Sequence, residues 1–291
     1  MARATSILLP VAAVVCAMAA FQVSAAFAKA LFPLMGAQGA AALRLTLGGL
    51  MLLAFARPWR DWPKGGPWLA LVGLGVSVAA AVFLFYSAIS RLPLGVSIAL
   101  QFLGPLGVAL VGSRRPRDVV WAVLAAGGVW ALVGRSAGAG HLDLLGVAYA
   151  LGAAAGWAGY ILFGKVAGTA YGRRTAPVAT AIAAVVVLPI GLAQAGSAMF
   201  TPALLPLALA VALFSTVIPF SLELFAMARM PSRTFAVLTS LEPAFGALSG
   251  LVLLHERLAL SQVAGIAAVI AAAAGAAWSA GQAVTPPPGP V

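Results

Sequence analysis

Arg91–Gly112 reads RLPLGVSIALQFLGPLGVALVG, and 138 residues further on Arg229–Gly250 reads RMPSRTFAVLTSLEPAFGALSG. Laid over each other without a gap, Arg91 meets Arg229, Pro93 meets Pro231, Leu100 meets Leu238 and Leu103 meets Leu241. Pro105 then meets Pro243, Ala109 meets Ala247 and Gly112 meets Gly250. Each stretch is close to the ~20 apolar residues that cross roughly 30 Å of hydrocarbon, and each carries a proline near its middle. The pair reads as an internal repeat of membrane-crossing segments.

Composition extends that reading to the whole chain. Of 291 residues, 63% are hydrophobic and 8% charged, against about 25% charged in soluble domains. Lipid must therefore be the solvent. Between charges and Gly/Pro breaks there are ten candidate spans, at 6–28, 36–56, 68–88, 93–112, 118–135, 144–164, 176–196, 204–228, 234–254 and 260–281. The connections are short, so no soluble domain is inserted. Arg3, the apolar run after it and Ala26-Phe27-Ala28 imitate a secretory signal. Nine more apolar segments follow, so Ser6–Ala28 is expected to be an uncleaved first span. The Pro-rich end, with Pro286, Pro287, Pro288 and Pro290, is expected to be disordered.

The formal net charge of +11 does not indicate nucleic-acid binding, because the basic residues stand singly between apolar runs. They report orientation instead, since Lys and Arg collect on the cytoplasmic side. With the N-terminus inside, the inner segments hold Arg3, Arg57, Arg60, Lys64, Arg114, Arg115, Arg117, Lys165, Arg173, Arg174, Arg229 and Arg233. The outer segments hold Lys29, Arg91, Arg135 and Arg257. Both termini are thus expected in the cytoplasm. The repeat places spans 1–5 in residues 1–138 and spans 6–10 in 139–281, followed by the tail 282–291. Five is odd, so the second half lies upside down relative to the first. The expected fold is all-α and integral to the membrane, with ten transmembrane helices in two inverted-topology five-helix repeats. Inverted repeats point to alternating access around a site near the midplane.

Three ionisable residues fall well inside spans: Arg44, Glu223 and Glu242. A charge at the bilayer centre costs about 2.5–3.5 kcal/mol even on insertion scales, so each should face a cavity or a partner, and a salt bridge between helices is the competing structural role. Pro105 and Pro243 each remove a helix hydrogen bond, that of the carbonyl of Gln101 and of Thr239. Irregular backbone at membrane depth is tolerated only beside a cavity or buried in protein. Ser215, Pro219 and Glu223 recur every four residues and share a helix face. Gln22, Tyr86, Gln101, Tyr149, Trp157 and Tyr160 complete the polar candidates. Trp59, Trp62 and Trp68 read as a membrane-boundary belt. Gly152-xxx-Gly156 and Gly246-xxx-Gly250 permit close helix approach. The single cysteine, Cys16, is expected to be a small buried hydrophobe; it provides neither a disulfide nor a zinc site. His255 and Glu256 are expected in a solvated loop, and two histidines at loop edges make no metalloprotease motif. No phosphate-binding loop is present, and neither a metal nor a cofactor is expected.

Three segments carry a resemblance: FQVSAAFAKALFPLMGAQGAAALRL at Phe21–Leu45, ALQFLGPLGVALVGSRRPRDVVW at Ala99–Trp121, and SLELFAMARMPSRTFAVLTSLEPAFGALSG at Ser221–Gly250. They resemble bacterial threonine/homoserine exporters of the drug/metabolite transporter superfamily, EamA type, over about residues 7–280. The resemblance implies two inverted five-helix repeats in a bacterial inner membrane. It also implies efflux of small amino acids driven by proton exchange. It further implies a Glu where this chain has Gln101, and a Gly where it has His255.

The expected function is secondary export of a small metabolite. A zwitterionic amino acid needs a cation for its carboxylate, met by Arg44, and an anion for its ammonium, met by Glu242 or Glu223, with the other carboxyl exchanging protons. The rival with the same fold exports a drug, a nucleobase-like metabolite or a lipid head group. An intramembrane enzyme lacks its nucleophile–base constellation here, and a non-transporting receptor lacks a signalling domain.

Overall fold

Hydrocarbon offers a backbone neither donors nor acceptors, so each spanning segment must close its own hydrogen bonds. The computed structural model of the chain is built of helices and short connections, with no strand, over its described residues, which are 2–61, 65–111, 118–133, 143–227, 229–230 and 232–281. Trp62, Lys64, Gly112, Arg114, Arg115, Arg117, Arg135, Pro231 and the tail 282–291 lie outside them.

The helices within this range follow the ten expected spans. They are α1 (Ala2–Lys29), α2 (Phe32–Ala56), α3 (Trp68–Ile89), α4 (Leu94–Gln101), α5 (Leu103–Val111), α6 (Asp118–Val133), α7 (Leu144–Tyr171), α8 (Thr175–Ala195), α9 (Leu205–Ala212), α10 (Ile218–Met227), α11 (Ser232–Thr239), α12 (Glu242–Leu254) and α13 (Leu260–Gly281). Seven stretches among the described residues are long and apolar enough to cross a membrane, and one of them, Leu144–Phe200, contains both α7 and α8. The fourth expected span is α4 and α5, interrupted at Phe102. The ninth is α11 and α12, interrupted at Ser240 and Leu241. The eighth is α9 and α10 joined through a π-helical turn, Leu213–Val217.

Three boundaries differ from expectation by four residues or more, the first being the start of α1 at Ala2 instead of 6. α7 runs on to Tyr171 instead of stopping at 164, which makes Lys165 helical. No proline intervenes, and the helix ends only at Gly172, whose φ of 53° breaks the register. α2 begins four residues early, because Gly36 (φ 72°, ψ 164°) lets the chain kink inside it.

The packing carries the repeat into three dimensions. α3 lies along α7, and α1 lies correspondingly along α10; α2 packs on α8 and α6 on α13. Each packing maps onto itself or another when spans 1–5 are exchanged for 6–10. Gly156 allows the α3–α7 approach: a Cβ there would sit 2.6 Å from the Ala81 nitrogen. Gly246 faces the Ile98 side chain and does the same for α12 on α4.

One packing breaks the symmetry. α4 packs on α12, whereas their repeat counterparts α11 and α5 make no comparable contact among the described residues. The two broken spans therefore meet at the end of the molecule that holds Lys29 and diverge at the end that holds Arg173.

The Lys29 end is tied by charges. Lys29 Nζ donates to Glu256 Oε1 at 2.6 Å, and Glu256 Oε2 accepts the Leu94 N–H at the start of α4 at 2.7 Å. Arg91 donates to Asp143 at 2.6 Å. That bond, with the N–H groups of Gly146 and Leu145, holds the Asp143 carboxyl below its usual range. Glu256 is therefore not in a solvated loop as expected. His255 caps α12 in the left-handed region (φ 54°) and so turns the following carboxylate back over the helix ends. Cys16 corrects a second expectation. α1 packs Ala13, Val14 and Met18 against Ala226 and Met230, and Cys16 lies exposed on the remaining surface. Trp59 and Trp68 are exposed at the Arg173 end, where a boundary belt belongs.

Candidate functional site

Where α5 and α11 part, a cavity of about 760 Å³ opens. It runs from the breaks in the two discontinuous spans to Gly172, Arg173 and Thr175 at the α7–α8 connection. Its walls are mostly apolar, with Leu45, Val78, Phe102 and Ile161 among them. Polar side chains in its lining include Arg44, Gln101, Ser215, Thr216, Glu223, Thr239 and Glu242, with Trp157, Tyr160, Arg173, Thr175 and Thr180 also on the wall. A largely apolar concavity with a few convergent polar groups is the usual form of a small-ligand site.

Arg44 stands midway along α2 and is 5% exposed. Its guanidinium lies over the rings of Phe21 from α1, at 5.0 Å, and Tyr86 from α3, at 5.5 Å. One terminal nitrogen donates to the Ser215 carbonyl at 3.2 Å, and the other reaches the Tyr86 hydroxyl at 3.5 Å. Its Nε is buried with no partner. Among the described residues Arg44 makes no ion pair, so the salt bridge to Glu242 that competes with a binding role is not formed. Removing a buried charge's counter-ion is strongly unfavourable. A cation left without one beside a cavity is suited to an anion arriving from that cavity.

Glu242 opens α12, with Pro243 directly after it and Leu241 offering no side-chain cap. The N-terminal turn of a helix carries unpaired N–H groups and positive dipole, which favour a carboxylate. Glu223 reaches the same cavity from α10. The four-residue spacing of Ser215, Pro219 and Glu223 does put all three on the cavity wall, although the π-turn lies among them.

Gln101 ends α4 and accepts from Trp157 Nε1 at 3.1 Å. Trp157 stands edge-on to Tyr160, centroids 5.3 Å apart, and both rings line the cavity. Three residues along, Gly104 takes the repeat position of Glu242. A Cβ at Gly104 would collide with the Ala154 carbonyl of α7, so α5 has no room there for a side chain.

Of the expected site residues, Arg44, Gln101, Pro105, Ser215, Pro219, Glu223 and Glu242 line one cavity. Tyr86 is fully buried behind Arg44, and Pro243 is buried beside Glu242. Gln22 does not line it: it is fully buried in α1, with neither amide atom paired. Sequence reasoning missed Phe21, Thr216 and Phe235 in the wall, because apolar and hydroxyl side chains carry no signal in a chain full of them. It also missed the Lys29–Glu256 pair, whose partners are 227 residues apart.

Comparison with known proteins agrees with this architecture. The EamA-like transporter family model matches residues 144–278, from the start of α7 into α13. The threonine/homoserine exporters RhtA of Escherichia coli K12 and Salmonella typhimurium LT2 are each 47% identical over 273 residues, covering 94% of this chain and 92% of theirs. The uncharacterized transporter YwfM of Bacillus subtilis is 30% identical over 78% of this chain and 79% of its own. A crystal structure with 20% identity aligns over 97% of this chain and 99% of its own at a TM-score of 0.61, a likeness of fold alone. With relatives this similar over nearly the full length of both chains, the chain belongs to the EamA-like transporter family.

Proposed function

We propose that the chain is a secondary exporter of small zwitterionic amino acids of the threonine/homoserine type. We place it in a bacterial inner membrane with both termini in the cytoplasm. The observation that carries this reading is Arg44, a buried cation with no carboxylate partner among the described residues, facing a cavity that also holds Glu223 and Glu242. The substrate carboxylate docks on the guanidinium, and the ammonium on Glu242 or Glu223. Names of the relatives and the zwitterion-shaped charge pattern point to the same substrate class.

The basic loops support a cytoplasmic Arg173 end, and with that orientation the cavity is open to the inside. Its 760 Å³ is about 25 waters' share of liquid volume at roughly 30 Å³ each, and threonine has about eight non-hydrogen atoms. A cavity larger than its cargo suits an open, loading state. Residues 1–138 and 139–281 act as the two inverted halves. Outward release follows when α5 and α11 close and α4 and α12 part, with a carboxyl that gives up substrate taking a proton in exchange.

The experiment is efflux of a panel of labelled amino acids from cells expressing the chain, with and without a proton gradient. Threonine and homoserine should leave faster than from control cells, and collapsing the gradient should abolish accumulation outside. Glu242→Gln should insert normally, lose uphill export and leave a residual flux indifferent to pH. Resistance to cationic drugs without amino-acid efflux would replace this reading with export of another cargo by the same fold.

A further inference from the structure

In an α-helix the N–H four residues ahead takes each carbonyl. For Ser215 that residue is Pro219, which has no N–H. The preceding turn is π-helical over Leu213–Val217, and π-turns inside helices gather at functional sites. The Ser215 carbonyl accepts from Arg44 at 3.2 Å instead, in a fully buried contact between α2 and the eighth span.

We propose that Pro219 is a positioning residue for the substrate carboxylate, and that it acts by leaving the Ser215 carbonyl to hold the Arg44 guanidinium. The inference rests on the reading of Arg44 as the carboxylate site. Arg44 offers five donors in a fixed fork. Ser215 anchors one end, the Tyr86 hydroxyl lies near the other, and the rings of Phe21 and Tyr86 flank the plane. Held in this way, the fork keeps its terminal N–H groups in place at the cavity wall without first being ordered by the ligand. A long flexible side chain would otherwise lose rotamer freedom on binding, which weakens affinity. Glu223 lies one turn beyond Pro219 on the same wall, so the same proline sits between the groups assigned to the two ends of the zwitterion. Pro219 touches the cavity itself, but its proposed effect passes through the backbone of Ser215.

The test separates the missing N–H from the ring. Pro219→Ala supplies an N–H that competes with Arg44 for the Ser215 carbonyl. Replacement of Pro219 by lactic acid, using nonsense suppression, gives the same methyl side chain on a backbone ester that has no N–H. Binding of labelled L-threonine and of threoninol, which lacks the carboxylate, is measured on purified full-length protein, together with the thermal midpoint of each variant. A hydrogen bond from a charged donor contributes enough to change an equilibrium about tenfold or more. Pro219→Ala should therefore weaken threonine binding about tenfold and leave threoninol unchanged. The lactate ester should recover most of that loss. Equal impairment of the alanine and ester variants, or no impairment in either, overturns the proposal. Arg44→Gln distinguishes the two levels. If it leaves threonine binding intact, the reading of the site fails. If it abolishes binding while the alanine and ester variants behave alike, only the role of Pro219 fails.

Discussion

Neutralising Glu256 is expected to loosen the closed end of the protein without unfolding it. Its carboxylate bonds Lys29 at 2.6 Å, and the two side chains retain 16% and 22% of their exposure. Exposed pairs contribute about 0.2–1 kcal/mol, and breaking a fully buried pair costs about 3–5 kcal/mol. This pair lies between the two cases, so roughly 1–3 kcal/mol is expected. Glu256→Gln keeps an oxygen for the Leu94 N–H, so the change isolates the ion pair. A bond present only while α1, α4 and the α12–α13 connection are together stabilises that closed state alone. Its loss should therefore raise the population open at the Lys29 end about 5- to 150-fold. The readout is a single cysteine at Thr216, in the cavity wall, in a Cys16→Ala background. An impermeant maleimide added from the periplasm should label it faster by that factor in Glu256→Gln and in Lys29→Gln, and both variants together should add little more. Unchanged labelling in both variants would refute the assignment of this pair as an outer lock. Labelling of a cysteine at Arg173 from the same side would refute the orientation.

Three further outcomes follow from local geometry. Gly104→Ala drives a methyl group into the Ala154 carbonyl, whereas nothing lies within 4 Å of a Cβ at Gly107; thermal unfolding should show a loss of about 1–3 kcal/mol for the first and no loss, or a gain of up to about 1 kcal/mol, for Gly107→Ala. His255→Gly relieves a left-handed residue that costs about 1 kcal/mol and should raise the thermal midpoint slightly with Glu256 still paired. Asp143 has its carboxyl held below the ordinary range by Arg91 and by the first N–H groups of α7, so its stabilisation is full above the unfolded value near ~3.9 and is lost as pH falls through its lower folded value. Wild-type and Asp143→Asn stabilities should accordingly differ by a constant amount above pH ~5 and converge in stronger acid, and a difference that instead grew on acidification would contradict the pairing.

The helices were legible because each is set locally. A span must be apolar for its whole length, and a proline at mid-span favours a break, so the ten segments and the breaks near Pro105 and Pro243 could be read in order along the chain, although Pro10 and Pro189 sit inside continuous helices. The shared face of Ser215, Pro219 and Glu223 was legible for the same reason, since helical period links neighbours in sequence. Boundaries were less so: α7 passes its expected end because nothing in Lys165–Tyr171 stops a helix until Gly172 does.

From its residues alone the sequence determined that this chain lives in lipid, that its halves repeat, and that Arg44, Glu223 and Glu242 lie where a charge needs a reason. Only the tertiary structure decided what those reasons are. It put Arg44 between Phe21 and Tyr86, gave it a carbonyl instead of a carboxylate, and left Glu223 and Glu242 in the same cavity. It brought Lys29 to Glu256 across 227 residues and packed α4 on α12 while α5 and α11 stood apart. Those are contacts between helices distant in the chain. Hydropathy and period constrain each helix by its own solvent and its own turn, and neither sets which faces of two helices will meet.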